Sequence, residues 1–193
     1  MVPEARVPAN IARQVGARIS EILQIPEVWH TRQTDRDGVS ILNVITKGGK
    51  RGSLHFGPGI ARETGNNLDK HQKFIRADGR PWTRFTLSGE IRRAADSVGA
   101  KTFNFHTLRH VFASRAFQVL HLDAQTDPRN GALDPVLMVQ YLLNHSSPQT
   151  TMSTYLHNFA FEPGDTIPDA EMHAVRTLFQ AVPAHINHGD IQL

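Results

Sequence analysis

The segment Phe105–Leu122 constrains this chain more than any other. Leu108, Val111, Phe112, Ala116, Val119 and Leu120 recur at helical spacing, which predicts a long amphipathic helix with one apolar stripe. Its first turn reads His106-Thr107-Leu108-Arg109-His110. His106 and Arg109, at i and i+3, share one helix face and can reach one ligand. An imidazole and a guanidinium together suit a phosphate oxyanion. Further along, Thr150-Thr151-Met152-Ser153-Thr154-Tyr155-Leu156-His157 supplies a tyrosine hydroxyl, which can bond covalently to such a phosphate. The pairing points to phosphoryl transfer that needs no metal or other cofactor.

The other segments place that helix in a mainly helical, α+β chain with a small antiparallel sheet. Ile11, Val15, Ile19, Ile22 and Leu23 predict a helix over Ile11–Ile25, with Asn10 as N-cap and Pro26 as stop. Ser40–Ile45 and Arg51–Phe56 read as two strands joined by the turn Lys47-Gly48-Gly49-Lys50, and Val28–Arg32 as an earlier strand. Gly57–Asn67 is glycine-rich and polar and reads as a loop. Asp78–Pro81 is a turn, and Thr83–Val98 a helix with Arg92 and Arg93 exposed. Asp127-Pro128 and Asn130-Gly131 mark Asp123–Leu133 as a loop. Pro135–Leu143 reads as a helix capped by Asp134, followed by a turn at Asn144–Pro148 and a helix carrying Tyr155. Asp169–Val182 is a last amphipathic helix, which packs on its own domain or on a neighbouring protomer. With no repeat and no linker, the expected organisation is one domain over 11–183, a short lead over 1–10 and a loose tail over 184–193.

Composition narrows the function classes. The 193 residues include no cysteine, which excludes disulfides, thiolate zinc sites and a cysteine nucleophile. The net charge of +3 permits nucleic acid as a partner without requiring it. Met1–Asn10 carries Pro3, Glu4, Arg6 and Pro8 and no apolar run, and no stretch reaches membrane-spanning length. The expectation is a cytoplasmic protein without a membrane partner.

Each candidate residue also has a structural reading. Arg18 has Glu21 at i+3 and is either a surface ion pair or a second guanidinium that Glu21 orients. Lys47, with Lys50 and Arg51 beside it, is a solvated basic turn or a lysine that reaches into DNA and protonates a leaving oxygen. His145 can complement a helix C-terminus. Tyr155 can be a packing tyrosine. His106 and His110, at i and i+4, could share zinc, yet Thr107 stands where a metalloprotease helix has glutamate.

The order of these segments adds what none carries alone. Gly16-Ala17-Arg18-Ile19-Ser20-Glu21, the Lys47–Lys50 hairpin, His106–His110, Leu142-Leu143-Asn144-His145 and Thr150–His157 in succession resemble the tyrosine recombinase/phage integrase family, over roughly Ile11–Asn158. The resemblance implies a catalytic core that cleaves and rejoins double-stranded DNA through a 3′-phosphotyrosine. It implies a tetramer on DNA for a full-length enzyme, a monomer in isolation, and a bacterial or phage origin. It assigns Arg18 and Arg109 to the scissile phosphate and Lys47 to the leaving 5′ oxygen, with Lys50 as the alternative. His106 would take the tyrosine proton, His145 would bond the phosphate and Tyr155 would be the nucleophile. Glu21 and His110 would support them, and Lys50 and Arg51 would contact DNA.

Two positions depart from the pattern. Asn144 stands where the family usually has glycine. Arg18 lies close to the amino terminus, so a truncated catalytic domain is expected. The rival readings are a DNA-binding remnant without catalysis and a type IB topoisomerase that relaxes supercoils.

Overall fold

Prolines in the first turns of two helices and one glycine decide how the chain begins to fold. The computed structural model describes residues 1–68, 73–126, 134–153, 173 and 175–176. Helix α1 (Pro3–Val15) starts on a proline, whose missing N–H costs nothing in a first turn, and buries Ala5, Val7, Ala9, Ile11, Ala12 and Val15. It ends at Gly16, which is left-handed at φ +67 and returns its N–H to the Ala12 carbonyl. A Cβ on Gly16 would lie 2.4 Å from Phe112 Cδ1, so space as well as backbone angle demands glycine. The expected single helix over Ile11–Ile25 is therefore corrected. Asn10 lies inside α1, and the chain restarts as α2 (Ile19–Ile22) and α3 (Ile25–Val28), with Pro26 in the first turn of α3 rather than at a stop. Pro3–Asn10, expected as a lead, form most of α1.

The hairpin matches its expected bounds. Strands β1 (Gln33–Thr34), β2 (Ser40–Ile45) and β3 (Arg51–Phe56) form one antiparallel sheet in that order, with Ser40 opposite Phe56 and Ile45 opposite Arg51. At the tip Thr46 N–H donates to the Lys50 carbonyl at 2.7 Å, and Gly48 and Gly49 take φ +81 and +77. The early strand expected over Val28–Arg32 is instead the end of α3 and a 3-10 turn at Trp29–Thr31. Gly57–Asn67, expected as a loop, contains helix α4 (Pro58–Asn67), where Pro58 opens the first turn and Ile60 and Thr64 are buried.

Helix α5 (Arg84–Ser97) is capped by Thr83, whose Oγ1 accepts the Thr86 N–H at 3.2 Å. Helix α6 (Phe105–Thr126) outruns its expected end at Leu122, and Val111, assigned to its apolar stripe, is exposed. Helix α7 (Pro135–Leu142) has the expected cap, with Asp134 Oδ1 accepting the Val136 N–H at 2.7 Å, and α8 is Pro148–Thr151. Tyr155 and nearly all of the predicted Asp169–Val182 helix lie outside the described residues, as do 127–133. Of that last segment, Val175 is buried among Phe112, Ala116 and Val139, and Arg176 pairs with Asp123.

Two apolar clusters share α6. Phe105 and Leu108 pack with Ile11, Ile22, Leu42, Leu54 and Leu87, whereas Phe112, Ala116 and Val119 pack with Met138, Val139, Leu142 and Leu143. Arg109 falls where one cluster gives way to the other. A cation at that seam is tolerable only if its donors are satisfied locally.

Candidate active site

The start of α6 is fixed by Asn104. Its Oδ1 accepts the N–H groups of His106 at 2.8 Å and Thr107 at 3.3 Å, while Thr107 Oγ1 accepts the Asn104 N–H at 3.1 Å. This reciprocal cap sets the helix face on which His106 and Arg109 stand.

Arg109 is only 1% exposed. Its Nη1 donates to the carbonyl of Gly16, its Nη2 to that of Leu143, and Nη2 also meets His145 Nε2 at 3.1 Å. The left-handed cap of α1 and the end of α7 thus aim backbone carbonyls at one guanidinium. Glu21 lies on the other side, fully buried, with Oε2 3.8 Å from Arg109 Nη1. Its Oε1 holds Arg18 Nη1 at 2.8 Å, and its Oε2 accepts the Arg18 backbone N–H at 2.7 Å. One buried carboxylate therefore serves both arginines, hydrogen-bonded to Arg18 and ion-paired with Arg109. The i+3 spacing places Glu21 beside Arg18, whereas its reach to Arg109 depends on tertiary packing.

His145 contacts Arg109 and Thr151. A guanidinium only donates, so the Nε2 facing Arg109 is the unprotonated nitrogen. Nδ1 then carries the hydrogen and donates to Thr151 Oγ1 at 2.9 Å, with Thr151 fully buried. Burial, followed by the charges of Arg109 and Arg18 and then His106, lowers the His145 pKa to about 3. In this geometry its Nε2 braces Arg109. His106 is also shifted down, first by burial and then by His110, Arg109 and Arg18, so it is neutral at neutral pH and able to accept a proton. His110 sits edge-on to His106 with ring centroids 4.9 Å apart. Among the described residues no group of three or more His, Cys, Asp or Glu could hold a metal ion.

Arg18, Lys47 and His106 line one cleft of about 470 Å³, although they come from α2, the hairpin tip and α6. Arg84, Ser88 and Asn104 line it too. Sequence reasoning missed these three. Arg84 carried a usable signal, since it follows the capping Thr83 and so opens α5 with its side chain near a helix N-terminus. Lys50 and Arg51 stay on the exposed hairpin outside this lining.

This architecture is that of tyrosine recombinase catalytic domains. XerH site-specific recombinase, solved with its difH substrate before cleavage, superposes with a TM-score of 0.56 and 19% identity over 84% of this chain and 46% of its own. XerH in a post-cleavage complex gives 0.56 and 20% over 81% and 44%. The Tn1549 transposon integrase with circular intermediate DNA gives 0.50 and 16% over 83% and 55%. The chain therefore spans about half the length of these solved chains, and at such identities the likeness is one of fold. No family model matches the sequence, and no curated protein does. Among the described residues no helix is long and apolar enough to cross a membrane.

Proposed function

We propose that this chain is the catalytic part of a DNA strand transferase that cleaves and rejoins DNA for site-specific recombination or integration. The observation that carries the reading is the cleft lined by Arg18, Lys47 and His106, in which Arg18 shares the buried Glu21 with Arg109, itself held by His145. Such a cleft suits the phosphodiester of double-stranded DNA. Fixed cations stabilise the charge that grows on the nonbridging oxygens without reorganising. Arg18 faces the phosphate. Arg109, anchored by carbonyls and His145, supplies a preset positive charge beneath it.

The reaction balances without a co-reactant. The Tyr155 oxygen attacks phosphorus while His106, neutral at working pH, takes the phenol proton. The bond from phosphorus to the 5′ oxygen breaks, and Lys47 gives that oxygen a proton. The products are a 3′-phosphotyrosine and a free 5′ hydroxyl, and the reverse sequence rejoins a strand. Lys50 is the alternative acid on the same turn, and Arg51 contacts flanking DNA in this reading. A full-length enzyme acts as a tetramer across two duplexes.

Covalent trapping on a suicide DNA substrate tests this. The unsubstituted chain is expected to form an adduct stable to denaturation, and Tyr155→Phe to form none. An adduct that survives Tyr155→Phe would remove the nucleophile assignment. Relaxation of a supercoiled plasmid without exchange between two sites would reassign the chemistry to topoisomerase action. Binding that is steeply salt-dependent, with no adduct, would leave a DNA-binding remnant.

A further inference from the structure

Asn144 has φ +51, the one non-glycine residue with positive φ among the described residues. Glycine would adopt this angle at no steric cost, so the side chain needs its own explanation. The turn does not supply it. Asn144 N–H donates to the Tyr141 carbonyl at 2.9 Å and His145 N–H to the Gln140 carbonyl at 3.0 Å, so the backbone closes the turn unaided.

The carboxamide instead docks on the sheet. Asn144 Oδ1 accepts the Ser53 N–H at 2.9 Å and Nδ2 donates to the Ser53 carbonyl at 2.8 Å, across 91 residues of sequence. Ser53 lies on β3, whose one strand neighbour among the described residues is β2; pairing alternates from the Thr46–Lys50 hydrogen bond, so the two Ser53 groups face the outer edge. The carboxamide takes the place of a peptide unit from a further strand. The neighbouring residue makes room for it: a Cβ on Gly52 would stand 2.6 Å from Asn144 Oδ1. On either side of Asn144, the Leu143 carbonyl and His145 Nε2 hold Arg109. From Ser53 the strand leads through Arg51, opposite Ile45, to the tip that carries Lys47.

Resting on the strand-transfer reading, we propose that Asn144 is a positioning residue that locks the Arg109–His145 turn to the hairpin and so sets Lys47 against the bound phosphate.

The test compares the unsubstituted chain with Asn144→Gly, which keeps the left-handed turn and loses the carboxamide. Each is given two suicide substrates, one with the natural scissile linkage and one with sulfur in place of the 5′ bridging oxygen. A thiolate leaves without being protonated, so a misplaced acid no longer matters. Asn144→Gly is expected to cleave the natural linkage at least about tenfold more slowly and to recover most of that loss with sulfur. Its Ser53 amide should exchange with solvent about tenfold faster, with the His145 amide unchanged. Wild-type cleavage of the natural linkage, an equal loss on both substrates, or unchanged Ser53 exchange would each overturn the positioning role alone. Failure of the unsubstituted chain to form an adduct on either substrate would overturn the strand-transfer reading and the positioning role with it.

Discussion

Acid should loosen the sheet from α7 through His55. This residue is 3% exposed on β3, lies edge-on to Tyr141 with ring centroids 5.6 Å apart, and has a buried Nδ1 without a hydrogen-bond partner among the described residues. Burial lowers its pKa from 6.5 to about 4, against a smaller upward pull from Asp35. The unfolded chain therefore binds this proton at higher pH than the folded one. The stability that His55 contributes is complete above the unfolded value of 6.5 and is lost as pH falls toward about 4. Between about pH 7.5 and about pH 5 the loss from this residue is about 2 kcal/mol. Asp78 and Glu90 leave this window undisturbed, because N–H groups of Arg80 and Val2 respectively hold their carboxyls below the usual range. His145 acts in the same direction as His55, and does so equally in a His55 variant. Urea unfolding across this range should show His55→Phe losing about 2 kcal/mol less than the unsubstituted chain. The comparison uses the change with pH, so any repacking cost common to all pH values cancels. Parallel pH dependences for the two proteins would refute the reasoning.

Three further outcomes follow from the site. Glu21→Gln leaves two buried or half-buried arginines without their shared charge, and urea unfolding should show a loss of about 3 kcal/mol, with adduct formation falling about a hundredfold in the trapping assay. Thr151→Val removes the acceptor for His145 Nδ1–H and should cost about 1–3 kcal/mol in the same unfolding assay, while nitrogen NMR of the unsubstituted chain should show the proton of His145 on Nδ1. Arg84→Ala should weaken binding to duplexes of any sequence alike and reduce the slope of log affinity against log salt by about 1, as read by titration at several salt concentrations.

How far the sequence could be read depended on whether a segment's signal was local. The hairpin, α5 and α7 carry their own punctuation in Gly48-Gly49, Thr83 and Asp134, and their bounds were legible. Helices α1 and α4 were not. Pro3 and Pro8 look like breakers and Gly59, Gly65, Asn66 and Asn67 look like turn residues until burial of Ala5, Ile11, Ile60 and Thr64 outweighs propensity. The candidate site divides in the same way. Arg18, His106, Arg109 and His145 could be singled out as candidates because side-chain chemistry is written in the sequence. Their anchoring was not, because Arg109 is held by the carbonyls of Gly16 and Leu143, and a carbonyl has no letter.

Asn144 shows what such a hidden partner does to interpretation. Alone it looks like a defect in a turn that favours glycine. Beside Gly52 it becomes half of a two-position exchange: the side chain gained at 144 occupies the space that a side chain at 52 would need. A larger residue at 52 is excluded only while the carboxamide is present and while Thr46 Cγ2, 2.5 Å from the same added Cβ, keeps its place. The identity of residue 52 thus constrains the arginine–histidine turn at the far end of the sequence, and the two must be interpreted together. That coupling passes through the outer edge of β3, the strand that leads to Lys47, so the Asn144 carboxamide ties the Arg109–His145 turn to the hairpin.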